Sequence, residues 1–198
     1  MTKAYSQSWK TVDFYRTLTI AGPSEKDKDL VAKVANGEEL TWEDLSSSKW
    51  SVMSSSSSTC NIYPYLWFQN NYEKGLTYLP SFVQTHSYPS PIARLASGQI
   101  DIIVCFTDVK MDNAEKWQNE FGKANSFLDE TNVIGVADKI YKSTVSNNSE
   151  IITDEFKKAL QDSFIEIGES EEGKNHRNLQ PRSYKLAKDK KYDGERET

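Results

Sequence analysis

The run Ile100-Asp101-Ile102-Ile103-Val104-Cys105-Phe106 is apolar at nearly every position, and a strand with apolar side chains on both faces needs a covering layer on each side. Few architectures meet that requirement, and the commonest is a sheet held between helices and built from alternating strands and helices. The rest of the chain supplies the alternation. Arg16–Ala21 mixes β-branched and apolar residues and stops at Gly22-Pro23, which predicts a strand and a turn. Ser24 then caps a helix whose Leu30, Val31 and Val34 have helical spacing and which ends at Asn36-Gly37. Thr41-Trp42-Glu43-Asp44 opens a second, short helix with Thr41 as N-cap and Asp44 placed for a near capping box. Trp50–Met53, Phe82–Gln84 and Asn132–Ala137 read as further strands, and Tyr63–Tyr72, Pro91–Ala96 and Asp112–Phe121 as helices. Asp154–Ile167 is amphipathic, with Phe156, Leu160, Phe164 and Ile167 on one face. The expected fold class is α/β with a mostly parallel sheet and flanking helices.

Composition narrows the function. The 198 residues, 37% of them apolar, suffice for one core or two small lobes, and the formal net charge of −5 comes without a basic stripe. A nucleic-acid partner is therefore not expected. Cys60 and Cys105 lack C-x-x-C spacing and form no metal-ligand pattern with His86 and His176. Their apolar settings favour buried free thiols over a disulfide, and no metal or cofactor is expected. Met1–Lys10 has no apolar stretch after its charge, so it is neither a secretory signal nor a membrane span. Trp42, Trp50, Trp67 and Trp117 sit beside apolar residues, which assigns them to core packing rather than to a stacking surface.

The most informative segment is Ser54–Thr59, six hydroxyl residues between a buried strand and an aromatic-rich helix. A strand, a run of small residues and a helix start bring unpaired N–H groups and the helix dipole onto one point, which suits an anion. A plain N-cap followed by a Ser-rich linker is the competing reading, and Pro64 in the first turn favours the ordered one. Asp108 lies just beyond the carboxyl end of the Ile100–Phe106 strand, where open α/β sheets bind ligands. It would otherwise merely cap the next helix. The Ser run lacks G-x-S-x-G and G-x-x-x-x-G-K-[ST], and only His86 is available as a base, so a binding protein is expected and an enzyme is not.

Several segments together resemble the substrate-binding proteins of phosphate/phosphite/phosphonate ABC transporters. They are T-W-E-D-L from Thr41, the Ser-rich loop with Y-P-Y-L-W up to Trp67, A-R-L-A-S-G-Q-I-D-I from Ala93, and A-L-Q-D-S-F-I-E-I-G-E-S-E-E-G-K with A-K-D-K-K-Y-D-G-E-R near the C-terminus. The resemblance implies a periplasmic-binding-protein type 2-like fold, in which two α/β lobes close over a ligand. It implies a complete second lobe and a partial first lobe, hence an N-terminally truncated member. Residues 1–47 would be the remnant of the first lobe and hinge approach, 48–131 the second lobe, and 132–198 the hinge return with the C-terminal part of the first lobe. The implied ligand is a small phosphorus oxyanion, the implied partner an ABC permease, and the implied state a monomer working outside the cytoplasm. A truncated fragment without independent ligand binding is the alternative.

Carried over position by position, the resemblance puts the phosphorus-binding loop on Ser56, Ser57 and Ser58 with Thr59 beside them. It places further ligand contacts on Tyr88, Ser90 and Asp108. A carboxylate facing an anion is useful only as a hydrogen-bond acceptor, so Asp108 would select a ligand that keeps a proton. Cys60 stands where relatives usually have glycine, and Pro89 and Pro91 flank Ser90, removing backbone donors from that helix start. After E-E-G-K, relatives continue with a run similar to I-I-A-I-Y-S-H, whereas this chain reads Asn175-His176-Arg177-Asn178-Leu179-Gln180-Pro181. A shift of one nucleotide converts suitable codons for the second run into the first. A compensated pair of frameshifts between Lys174 and Tyr184 is therefore expected, and His176 is discarded as a functional candidate.

Overall fold

The computed structural model describes residues 14–87, 89–141, 145, 148, 150–172, 184, 186–187 and 189–193. The chain divides into two compact units, Met1–Ile140 and Tyr141–Thr198. The first is built on a five-stranded sheet of order β3-β2-β4-β1-β5. Here β1 is Phe14–Ala21, β2 Trp50–Met53, β3 Phe82–Thr85, β4 Ile102–Phe106 and β5 Asn132–Tyr141. β2 runs parallel to β3, with Met53 opposite Thr85, and parallel to β4, with Trp50 opposite Ile102. The parallel sheet expected from the alternation is thus present across β3-β2-β4, and β1 enters beside β4 in the antiparallel sense, Thr17 opposite Phe106. The sheet includes β1 and β5, which boundaries at 47 and 132 place outside the second lobe.

Around the sheet lie α1 (Glu25–Ala35), α2 (Trp42–Ser46), α3 (Tyr63–Tyr72), α4 (Pro89–Ala96), α5 (Val109–Asp112), α6 (Ala114–Asn119) and α7 (Phe127–Glu130). Local chemistry starts two of them as the sequence implies. The Ser24 hydroxyl accepts from the Asp27 amide at the head of α1, and Thr41 and Asp44 complete a reciprocal capping box at α2. One expected helix is split. The 112–121 segment holds the last residue of α5 and all of α6, joined at Asn113 (φ −118°, ψ 11°), whose side-chain amide donates to the Val109 carbonyl at 2.9 Å. The Asn113 backbone N–H donates to the same carbonyl at 3.2 Å, so the side chain adds a second bond at the joint. α4 begins at Pro89, two residues before the expected start, and β4 at Ile102 instead of Ile100.

β4 is covered on both faces. Ile102 and Val104 join a core with Leu30, Leu45, Trp50 and Phe68, while Ile103 and Cys105 join another with Ile92, Leu95, Trp117 and Phe127. Alternate residues serve opposite faces of the sheet, as the period of two requires. Trp50 and Trp117 are 0% exposed, and their indole N–H groups donate to the Leu45 carbonyl at 2.8 Å and the Glu130 carboxylate at 3.1 Å. Trp42 and Trp67 pack edge-on against Phe68. These four tryptophans lie in the core or pack against it. Gly135 on β5 admits Trp67 closely: an added Cβ would stand 2.9 Å from the indole ring and 3.3 Å from Thr19. Cys60 and Cys105 are both buried, and no disulfide joins them.

In the second unit α8 spans Asp154–Glu169, capped by Thr153. Phe164 meets the Tyr184 ring at 5.1 Å, but Phe156 and Ile167 are 53% and 51% exposed, so the described residues leave much of the apolar face uncovered. The segment with the expected frameshift, 173–183, lies outside the described residues. No helix among the described residues is long and apolar enough to cross a membrane.

Candidate functional site

Because β2, β3 and β4 are parallel and in register, the chain leaves all of them at one edge of the sheet. From that edge β2 continues into Ser54–Ser57, β3 into His86 and the start of α4, and β4 into Thr107-Asp108. This is the carboxyl edge, where open α/β sheets hold ligands. Tyr88 lies outside the described residues; the other candidates, Ser56, Ser57, Ser58, Thr59, Ser90 and Asp108, all lie on loops or helix starts along this edge.

The Ser run is ordered by its own hydrogen bonds. The Ser57 amide donates to the Ser54 carbonyl at 2.9 Å, and the Ser54 and Ser56 hydroxyls are 3.3 Å apart. Ser57 caps a π-helical turn, Ser58–Ile62, that leads directly into α3; its hydroxyl accepts from the Cys60 amide at 3.3 Å. The amides of Asn61 and Ile62 both return to the Ser57 carbonyl at 3.0 Å. Wide turns of this kind concentrate at functional sites. Among the described residues the Ser58 and Thr59 amides donate no hydrogen bond, which is the condition of the first amides of any helix.

The candidates are not equivalent. Ser56 and Ser58 are exposed, Ser57 and Ser90 half-buried, and Thr59 buried, with its carbonyl accepting from the Thr17 hydroxyl at 2.7 Å. Thr17 and Asn61, which the sequence did not single out, anchor the loop: Asn61 donates its side-chain amide to the Met53 carbonyl at 3.0 Å. Ser90 is the second residue of α4, between Pro89, which opens the helix, and the buried Pro91. Neither proline offers a backbone donor.

Asp108 is exposed at the head of α5, and its side chain makes no capping bond, so the capping role does not account for it. Its carboxylate raises the pKa of the nearby Asp112 carboxyl, second to the effect of burial there. The nearest cation in sequence, Lys110, turns inward instead: it is buried, donates to the Thr131 carbonyl at 2.7 Å, and has its ammonium pKa lowered chiefly by burial. Thr107 fixes the strand end before Asp108, since its hydroxyl accepts from the Arg16 amide at 3.1 Å and donates to the Arg16 carbonyl at 3.0 Å. The Arg16 guanidinium donates across to the Ala137 carbonyl at 2.9 Å. These pairs are 91 and 121 residues apart, and no local pattern announces them.

The edge is open. Two crevices on the described surface, of about 530 and 280 Å³, lie elsewhere, one between α1 and α2 and one beside Gly22, Pro23 and Asn132. Neither includes a candidate residue.

Comparison with solved structures places the fold. A Xanthomonas citri protein solved bound to ATP matches with a TM-score of 0.51 and 10% identity over 82% of this chain and 56% of its own. A binding-protein component of an ABC phosphonate transporter from Pseudomonas aeruginosa matches with a TM-score of 0.47 and 19% identity, over 82% of this chain and 49% of its own. The chain thus spans about half the length of the solved structures it matches. No curated protein matches it. The family described as ABC transporter, phosphonate, periplasmic substrate-binding protein matches residues 11–192. This is a family of transporter substrate-binding proteins, not of enzymes, and the chain belongs to it.

Proposed function

We propose that this chain supplies one wall of a solute-binding protein that captures a small phosphorus oxyanion for an ABC importer. The observation that carries the reading is the shared address of Ser56, Ser58, Ser90 and Asp108, on segments leaving three parallel strands at the carboxyl edge of the sheet. A tetrahedral oxyanion would accept from the Ser58 and Thr59 amides and from the serine hydroxyls, replacing its water shell with fixed donors. No cation is needed when several N–H and O–H groups converge, and Lys110 is already committed to Thr131. Asp108 can only accept while ionised, so it favours an oxyanion that retains a P–O–H proton over one fully deprotonated. Phosphate, phosphite and phosphonates all satisfy this at suitable pH. Exposed groups enclose nothing alone, so the opposite wall would come from another lobe, and delivery requires docking on a permease from the outer side of the membrane.

A second reading is favoured by the exposure of Ser56, Ser58 and Asp108: the chain is a fragment that does not hold ligand by itself. Calorimetry with phosphate, phosphite and methylphosphonate separates the two. One-site binding of any of them, weakened roughly tenfold to a hundredfold by Ser58→Ala, supports the first reading, since a bond to a charged ligand is worth about 1.5–3 kcal/mol. Absence of binding heat from all three supports the second.

A further inference from the structure

The opposite, amino edge of the parallel strands holds a group that oxyanion capture does not use. There the turn after β1, the link from α2 to β2 and the approach to β4 are tied together. Gly22 N–H donates to the Asp101 carbonyl at 2.9 Å, Asp101 and Ile102 N–H to the Lys49 carbonyl at 2.8 and 3.1 Å, and Lys49 N–H to the Asp101 carboxylate at 2.8 Å. Close to this knot, in the first turn of α1, Asp27 is 0% exposed. One of its oxygens, Oδ2, accepts from the Ser24 hydroxyl at 2.6 Å; the other, Oδ1, is buried and has no hydrogen-bond partner. The Ser48 hydroxyl on the α2–β2 link is buried and unpartnered as well.

A buried carboxylate oxygen without a donor is costly as an anion and far less so as a neutral acid. The charged groups facing Asp27 do not supply the missing compensation. Asp101, from the approach to β4, has the same sign. Lys26, on Asp27's own helix, is the opposing cation, but its ammonium donates to the Ser47 carbonyl and stands 4.0 Å from Asp101. The helix N-terminus and the Ser24 hydroxyl favour the anion, yet burial outweighs them and pushes the Asp27 carboxyl up to about 6.

We infer that Asp27 is a proton-binding site that fastens this edge of the lobe more tightly as the medium turns acidic. The folded chain holds a proton there that the unfolded chain releases, so folding is linked to proton uptake. The sign follows from the folded value exceeding the ordinary 3.8: the stabilisation is absent well above the folded value, grows as pH falls through it, and is complete below the unfolded one.

Asp27→Asn keeps an acceptor for Ser24 and removes the titration. Urea unfolding of the full chain and of the variant between about pH 7.5 and pH 5, followed by tryptophan fluorescence, tests the inference. The ratio of the wild-type to variant folding constants should rise about tenfold across that window; a ratio independent of pH overturns the inference. If the variant does not fold, carbon NMR of the wild-type Asp27 carboxyl decides. A midpoint near 6 supports the inference, and one at or below the ordinary 3.8 overturns it.

Discussion

At the amino edge of the parallel strands, Gly22, Lys49, Asp101 and Ile102 exchange backbone and carboxylate hydrogen bonds until few donors remain. At the carboxyl edge, the Ser56 and Ser58 hydroxyls and the Asp108 carboxylate, which caps nothing, are exposed, and the Ser58 and Thr59 amides donate no hydrogen bond among the described residues. Both edges are built from the same strands and the same kinds of polar residue, and they differ in where those residues spend their hydrogen bonds. Groups consumed internally hold the lobe together; groups left over are available to a ligand, at little stability cost while water satisfies them. Polar residues are therefore poor guides to function until their partners are known.

Substitutions at the two edges should expose the asymmetry. The largest loss of stability is expected from Asp101→Ala, which strands the Lys49 amide and unties the β4 approach, at about 2–3 kcal/mol in urea unfolding. A loss under about 0.5 kcal/mol would erase the distinction between the edges. Thr107→Val should come next, because it removes both hydrogen bonds to the Arg16 backbone while keeping the shape of the side chain; about 1 kcal/mol is expected by the same measurement. Ser56→Ala and Ser58→Ala should be the smallest, within about 0.5 kcal/mol, since their hydroxyls carry no load from the fold beyond the Ser54 contact. Unfolding caused by either serine change would make the loop a structural element and not a ligand surface.

Sequence legibility followed the range of the interaction. Ser24 and Thr41 were readable as caps because a cap and its partners lie within one turn, and β4 was readable as buried on both faces because its residues carry that pattern themselves. The joint at Asn113 was missed because it is a backbone departure at a single residue, φ −118° and ψ 11°, which helical spacing does not encode. The antiparallel entry of β1 was missed because strand direction depends on which neighbour a strand meets. Asp27 and Asp101 are 74 positions apart in the sequence, and nothing near either marks the other as a neighbour. The candidate edge was legible from motif order, whereas its anchors Thr17, Asn61 and Arg16 emerged only with the fold.

Gly135 illustrates how a contact can be made by an atom that is missing. The indole of Trp67 settles where a methyl group would otherwise stand, and Trp67 belongs to the helix that continues from the serine turn. The thickness of backbone at one position on β5 thus sets how low α3 rides over the sheet, and with it the height at which the turn presents its amides. An alanine there would act as a shim under the candidate surface: a change invisible to any tally of the loop's own contacts, yet one that lifts the whole turn.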